Sequence, residues 1–157
     1  MIPVTKLFLD SNVIVDALVD RGPAHEHARL LLALGFVGEF DLWVSPSQWT
    51  DVFYILSEGG KRSLGAQVTS TLKELRKSVR ISTLGESEID WAMAQGWPDL
   101  EDAIVYAAAR TTKPAAIITQ NEKDYALSEL PVYTYEAYFN WLSRECGINY
   151  AEIDLTE

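Results

Sequence analysis

Apolar residues along this chain fall into two rhythms: short unbroken runs, and longer stretches in which they return every third or fourth position. The first suits strands buried on both faces, the second helices with one face toward a core. Val4 to Leu9 reads as a buried strand that stops at Asp10. Ser11-Asn12 is placed to cap the helix that follows, which Arg21-Gly22-Pro23 ends. A helix is expected from about Ala24 to Val37 and a second strand at Leu42-Trp43-Val44. Ser45-Pro46-Ser47 then opens a helix that Gly59-Gly60 closes. A polar helix over about Lys61 to Lys77 precedes a strand at Val79 to Thr83 and a helix from Glu86 to Ala94. Asp99 begins the next helix, which stops at Thr111-Thr112-Lys113-Pro114. Ala115 to Thr119 forms a fourth strand, Pro131 to Tyr133 a short fifth, and Tyr135 to Arg144 the last helix.

Strands separated by helices need crossover connections, so the expected fold class is α/β: a three-layer α/β/α sandwich around a mainly parallel sheet of four to five strands. With 157 residues, 48% of them hydrophobic, and no low-complexity linker, one domain is expected over residues 1–146, followed by an acidic tail over 147–157. Neither a signal-peptide pattern nor an apolar run of bilayer length is present, so a cytoplasmic protein without a membrane partner is expected. Cys146 stands alone, which rules out an intramolecular disulfide and a cysteine-rich zinc site. His25 and His27, just after Pro23, read as a solvated helix end rather than metal ligands.

Candidate chemistry lies in the acids. In sheets of this kind, sites form beyond the carboxyl ends of the strands. Asp10 closes the first strand and Asn121 follows the fourth, while the helices carrying Asp51 and Asp102 start near the same rim. Carboxylates gathered in one place repel unless cations sit among them, so Asp10, Asp51, Asp102 and Asp124 predict a divalent-metal site. Each acid also has a plainer use. Asp10 can cap a helix, Asp99 and Asp102 lie where a helix N-terminus favours acids, and Asn121 and Asp124 sit in a turn-forming loop. Asp51 is the odd one: it interrupts an apolar helix from Trp49 to Leu56, where an unpaired buried carboxylate would be costly. Asp16 reads as helix surface or as support for the site.

The net charge of −10 argues against a protein that holds nucleic acid by a broadly basic surface. It leaves room for a metal-dependent nuclease, because bound divalent ions invert the local potential. Substrate would then be held by Lys61, Arg62, Lys73, Arg76, Lys77 and Arg80, a stretch that also has the look of a solvated helix face.

In order and spacing these motifs resemble the PIN-domain family, nearest to its VapC-type toxin ribonucleases. Asp10-Ser11-Asn12-Val13 matches a strand ending in Asp-Ser/Thr-Asn, and Asp51 takes the place of a second acid that is usually Glu. Asp102-Ala103-Ile104-Val105-Tyr106-Ala107-Ala108 matches a third motif, and the segment IITQNEKDY resembles a fourth, with Asn121 where many members have Asp. The resemblance runs from Lys6 to about Tyr138. It implies an endoribonuclease dependent on Mg²⁺ or Mn²⁺, with Asp10 as central ligand, Asp51 and Asp102 flanking it, and Asp124 bound directly or through water. Asn12, Asp99, Thr119 and Asn121 would support them. The partners it implies are an RNA substrate and, for a toxin, a cognate antitoxin that inserts an Arg into the acidic site. A homodimer is also expected, with some of Trp43, Trp49, Trp91, Trp97 and Trp141 at its interface and most of them in the core. The alternative is a PIN-fold binding module that has lost tight metal binding. A phosphatase with an aspartyl nucleophile fits less well, because no Asp-x-Asp follows the first strand.

Overall fold

The computed structural model of the chain describes residues 4–150. Its centre is a sheet of β1 (Thr5–Leu9), β2 (Phe40–Val44), β3 (Val79–Ile81), β4 (Ala116–Ile118) and β5 (Val132–Tyr133). The spatial order is β3-β2-β1-β4-β5, and every neighbouring pair is parallel. Around it pack α1 (Ser11–Leu18), α2 (Ala24–Phe36), α3 (Pro46–Leu56), α4 (Gly65–Leu75), α5 (Glu86–Ala94), α6 (Leu100–Thr112) and α7 (Tyr135–Cys146).

Successive residues of a strand point to opposite faces, and β1 uses both. Leu7 and Leu9 enter the larger core with α1, α2, α3, α4 and α7, whereas Phe8 turns to the other side and meets Tyr106, Ala109 and Ile117. These are the three layers predicted from the alternation. Where α2 crosses the sheet the backbone comes close at Gly35: a Cβ there would collide with the Leu42 side chain and lie 2.8 Å from the Ser78 carbonyl oxygen.

Two local expectations change. The first helix is capped by Asp10, not by Ser11-Asn12, because Asp10 still has extended backbone while Ser11 is already helical. The loop after β4 winds into a 3-10 turn over Glu122–Tyr125, which tucks Tyr125 into the smaller core. His25 and His27 are half-buried rather than solvated, since α2 lies against α1 and α7. His25 Nδ1 is 2.7 Å from the Asp16 carbonyl oxygen, and His27 faces the Phe139 ring. Of the expected tail, Tyr150 packs its ring against Phe40 and Phe139. The acids at 152, 154 and 157 lie outside the described residues.

Candidate active site

From β1 the chain winds outward through β2 to β3, then returns to place β4 on the opposite side of β1. The strand order therefore reverses between β1 and β4, and a crevice opens beyond their carboxyl ends. Asp10 and Thr119 stand on its two lips. The Asp10 backbone N–H donates to the Ile118 carbonyl at 2.9 Å, so the ladder carries Asp10 to this edge. Its Oδ1 accepts from the Ser11 N–H at 2.7 Å, and its Oδ2 accepts from the Thr119 hydroxyl at 2.7 Å. Thr119 Oγ1 in turn accepts from the Asn121 N–H at 3.0 Å, and Asn12 Oδ1 accepts from the Gln120 N–H at 3.3 Å. Asn12 and Thr119 thus tie the loop after β4 to the start of α1 and fix the Asp10 carboxyl between them.

The start of α3 borders the same crevice. Ser45 and Gln48 form a reciprocal cap, with Ser45 Oγ accepting from the Gln48 N–H and Gln48 Oε1 from the Ser45 N–H. The same Gln48 amide donates through Nε2 to the Leu9 carbonyl at 2.8 Å, and the side chain is fully buried. It couples the last residue of β1 to the helix that carries Asp51. Gln48 was not among the residues expected from sequence; the pattern Ser-x-x-Gln at a helix start was visible, but its second bond spans 39 positions.

Asp51 is half-buried, not buried. The apolar run around it does not mean enclosure, since α3 fully buries just Gln48 and Val52 and leaves Tyr54 and Ile55 open to solvent. Asp51 meets the first turn of α6, where repulsion from it is the largest cause of a raised Glu101 carboxyl pKa. Glu101 is a second site residue that the sequence reading did not select. Asp99 is the N-cap of α6, its Oδ1 accepting from the Asp102 N–H at 3.2 Å. Asp102 faces inward: desolvation first, then the charges of Asp124, Asp99, Asp10 and Glu101, push its pKa up to about 7. Burial also raises Asp10, with Asp124 adding to the effect against the donors Thr119 and Ser11. Asp124 and Asn121 are exposed on the loop after β4.

Among the described residues, none of Asp10, Asp51, Asp99, Glu101, Asp102 and Asp124 forms an ion pair. Nor do any three of these acids stand around one point closely enough to ligate an ion as they are. Without a protein cation among them the like charges stay uncompensated, which favours the protonated form of the buried acids. One further group faces the cluster. Tyr125 is buried, its hydroxyl makes no hydrogen bond of good geometry, and burial together with the charges of Asp10, Asp102 and Asp124 raises its pKa. Oxygen donors along one rim, several of them anionic, suit a hard divalent cation rather than a soft one.

The basic stretch is divided. Lys61 and Lys77 pair with Glu58 and Glu74, and Arg80 stacks over Trp43 beside Asp41. Lys73 and Arg76 instead line an open, largely apolar groove of about 420 Å³ between α3 and α4, with Trp49, Phe53 and Leu72. Trp97 and Trp91 pack on Tyr106 within the smaller core.

A family model for the PIN domain matches residues 6–123, and the chain belongs to that family. It is 28% identical over 138 residues to a protein named ribonuclease VapC1 from Aquifex aeolicus (strain VF5), spanning 85% of this chain and 92% of that one. Among solved structures, a toxin-antitoxin complex from Klebsiella pneumoniae contains a chain that superposes with a TM-score of 0.58 at 23% identity, covering 82% of this chain and 97% of that one. VapBC-1 of nontypeable Haemophilus influenzae gives a TM-score of 0.60 at 17% identity, with 84% and 99% covered. These structural likenesses bear on the fold.

Proposed function

We propose that this chain is a divalent-metal-dependent endoribonuclease that hydrolyses RNA phosphodiester bonds, and that it is the toxin of a toxin-antitoxin pair. The observation that carries the proposal is the group of carboxylates without any protein cation at the β1/β4 switch point. The name of the Aquifex relative and the toxin-antitoxin origin of the structural neighbours support the substrate and the partner.

Asp10 is assigned the central ligand, Asp51 and Asp102 the flanking ones, and Asp124 a ligand bound directly or through water. When bound, Mg²⁺ or Mn²⁺ supplies a Lewis acid for the phosphate and lowers the pKa of a coordinated water. Thr119 and Asn12 keep the Asp10 oxygens oriented, Asp99 holds the α6 terminus in place, and Asn121 shapes the loop that carries Asp124. Hydrolysis adds a water oxygen to phosphorus, passes its proton to a rim carboxylate, and breaks the bond to the 3′ oxygen, which takes up a proton from solvent and leaves as a hydroxyl. Lys73 and Arg76, beside Trp49 and Phe53, offer phosphate and base contacts on an otherwise acidic molecule. An antitoxin arginine entering the rim would supply the missing cation, and a homodimer remains part of the proposal.

The spread of the acids favours one competing reading, a binding module that no longer holds metal. Cleavage assays on single-stranded RNA with Mn²⁺, with chelator, and with the folded Asp10→Asn variant separate the two. Cleavage confined to the metal-loaded wild type is expected; equal cleavage by Asp10→Asn, or none by any sample, would defeat the nuclease assignment.

A further inference from the structure

The chain holds two buried tyrosines beside buried or half-buried aspartates, and they differ in one respect. Tyr135 donates its hydroxyl to Asp16 Oδ2 at 2.8 Å. The Tyr125 hydroxyl, in a side chain that is 3% exposed, makes no hydrogen bond of good geometry, although it is turned toward Asp10 and feels the charges of Asp102 and Asp124. A buried donor left unpaired is rare and costly, and carboxylates nearby are the strongest acceptors a protein offers. Its ring is held by packing: Trp97 meets it edge-on at 6.2 Å, and Tyr125 shares the smaller core with Phe8 and Ile117. The oxygen therefore sits where it does because of the ring's packing.

We propose that Tyr125 is a positioning residue of the acidic site, donating a hydrogen bond to a water beside Asp10 that attacks the phosphodiester. This rests on the nuclease reading above. A water beside carboxylates has two protons to give them and then needs a donor for its own oxygen. Two side-chain donors already reach Asp10: Thr119 Oγ1 donates to Asp10 Oδ2, and Asn12 Nδ2 to the same oxygen at 3.5 Å. Tyr125 is the buried side-chain donor near Asp10 that makes no hydrogen bond of good geometry among the described residues. By accepting from it, the water would be oriented without losing a proton to it.

The test is Tyr125→Phe, which removes one oxygen and keeps the ring. Tyr135→Phe serves as the control whose hydroxyl is bonded. Without metal, Tyr125→Phe is expected to melt at or a few degrees above the wild type, and Tyr135→Phe below it. With Mn²⁺ and single-stranded RNA, kcat of Tyr125→Phe is expected to fall about tenfold to a hundredfold at little-changed KM. Tyr135→Phe should keep the wild-type kcat. Wild-type kcat in Tyr125→Phe, or a fall in its melting temperature like that of Tyr135→Phe, would overturn the positioning role while leaving the nuclease reading intact. A wild type that neither binds Mn²⁺ nor cleaves RNA would overturn both.

Discussion

Asp16 and Asp10 lie on the same short stretch of chain, and the protein treats them in opposite ways. Asp16 is buried and fully answered: Arg21 Nε donates to Oδ1 at 2.7 Å and Tyr135 to Oδ2 at 2.8 Å, tying α1, the loop after it and α7 together. Asp10 receives neutral donors alone, and the charges around it are carboxylates. A fold that supplies an arginine to one aspartate and withholds every cation from its neighbour has a structural acid and a functional one. Burial alone does not distinguish them; the sign of the surrounding charge does.

The sharpest way to break this comparison is to neutralise each in turn. Asp10→Asn is expected to lose RNA cleavage by a thousandfold or more, roughly what removal of a central electrostatic group costs, while its ion-free melting temperature holds or rises. Asp16→Ala should do the reverse. It leaves the Tyr135 hydroxyl and Arg21 without their acceptor, so unfolding by denaturant should show a loss of about 3 kcal/mol, with cleavage per folded molecule preserved. If Asp16→Ala were as inactive as Asp10→Asn while still folded, the division would fail.

A smaller effect comes from protonation. Asp102 is held up to about 7 in the folded chain against an ordinary 3.8, so in that window the folded state keeps a proton the unfolded state has released. Stability of the ion-free protein should therefore fall as pH rises through it, with Asp10 and Glu101 adding in the same direction. Melting curves taken without metal check this, and Asp102→Asn should flatten the slope. A slope unchanged in that variant would place the repulsion elsewhere. The smallest effect is expected from reversing charge in the groove. Lys73→Glu should raise KM for RNA severalfold, more at low salt than at high, with kcat nearly constant.

Much of this was legible in the sequence because it depends on local pattern. The strands, most of the helices and the rim acids could be placed from apolar runs, Pro46, the paired glycines and residues that end strands. What stayed hidden depends on distant partners. Asp16 read as helix surface or as support for the site, and its bonds to Arg21 and Tyr135, the latter 119 positions away, could not be seen. Gln48 shows its cap but not its bond to Leu9, and Glu101 reads as an ordinary first-turn acid until Asp51 is brought opposite. Asp51 itself was misjudged as buried, since an apolar helix lying at an edge exposes part of that surface. Tyr125 carries no signal in the sequence, which cannot show how a hydroxyl is bonded.

The most direct measurement is calorimetric titration of Mn²⁺ into wild type, Asp16→Ala and Asp10→Asn at neutral pH, run beside their melting curves. We expect saturable binding and a raised melting temperature in the first two and neither in Asp10→Asn. Equal binding in all three, or none in the wild type, would contradict the claim that the β1/β4 rim is an acidic pocket left for a metal ion to neutralise.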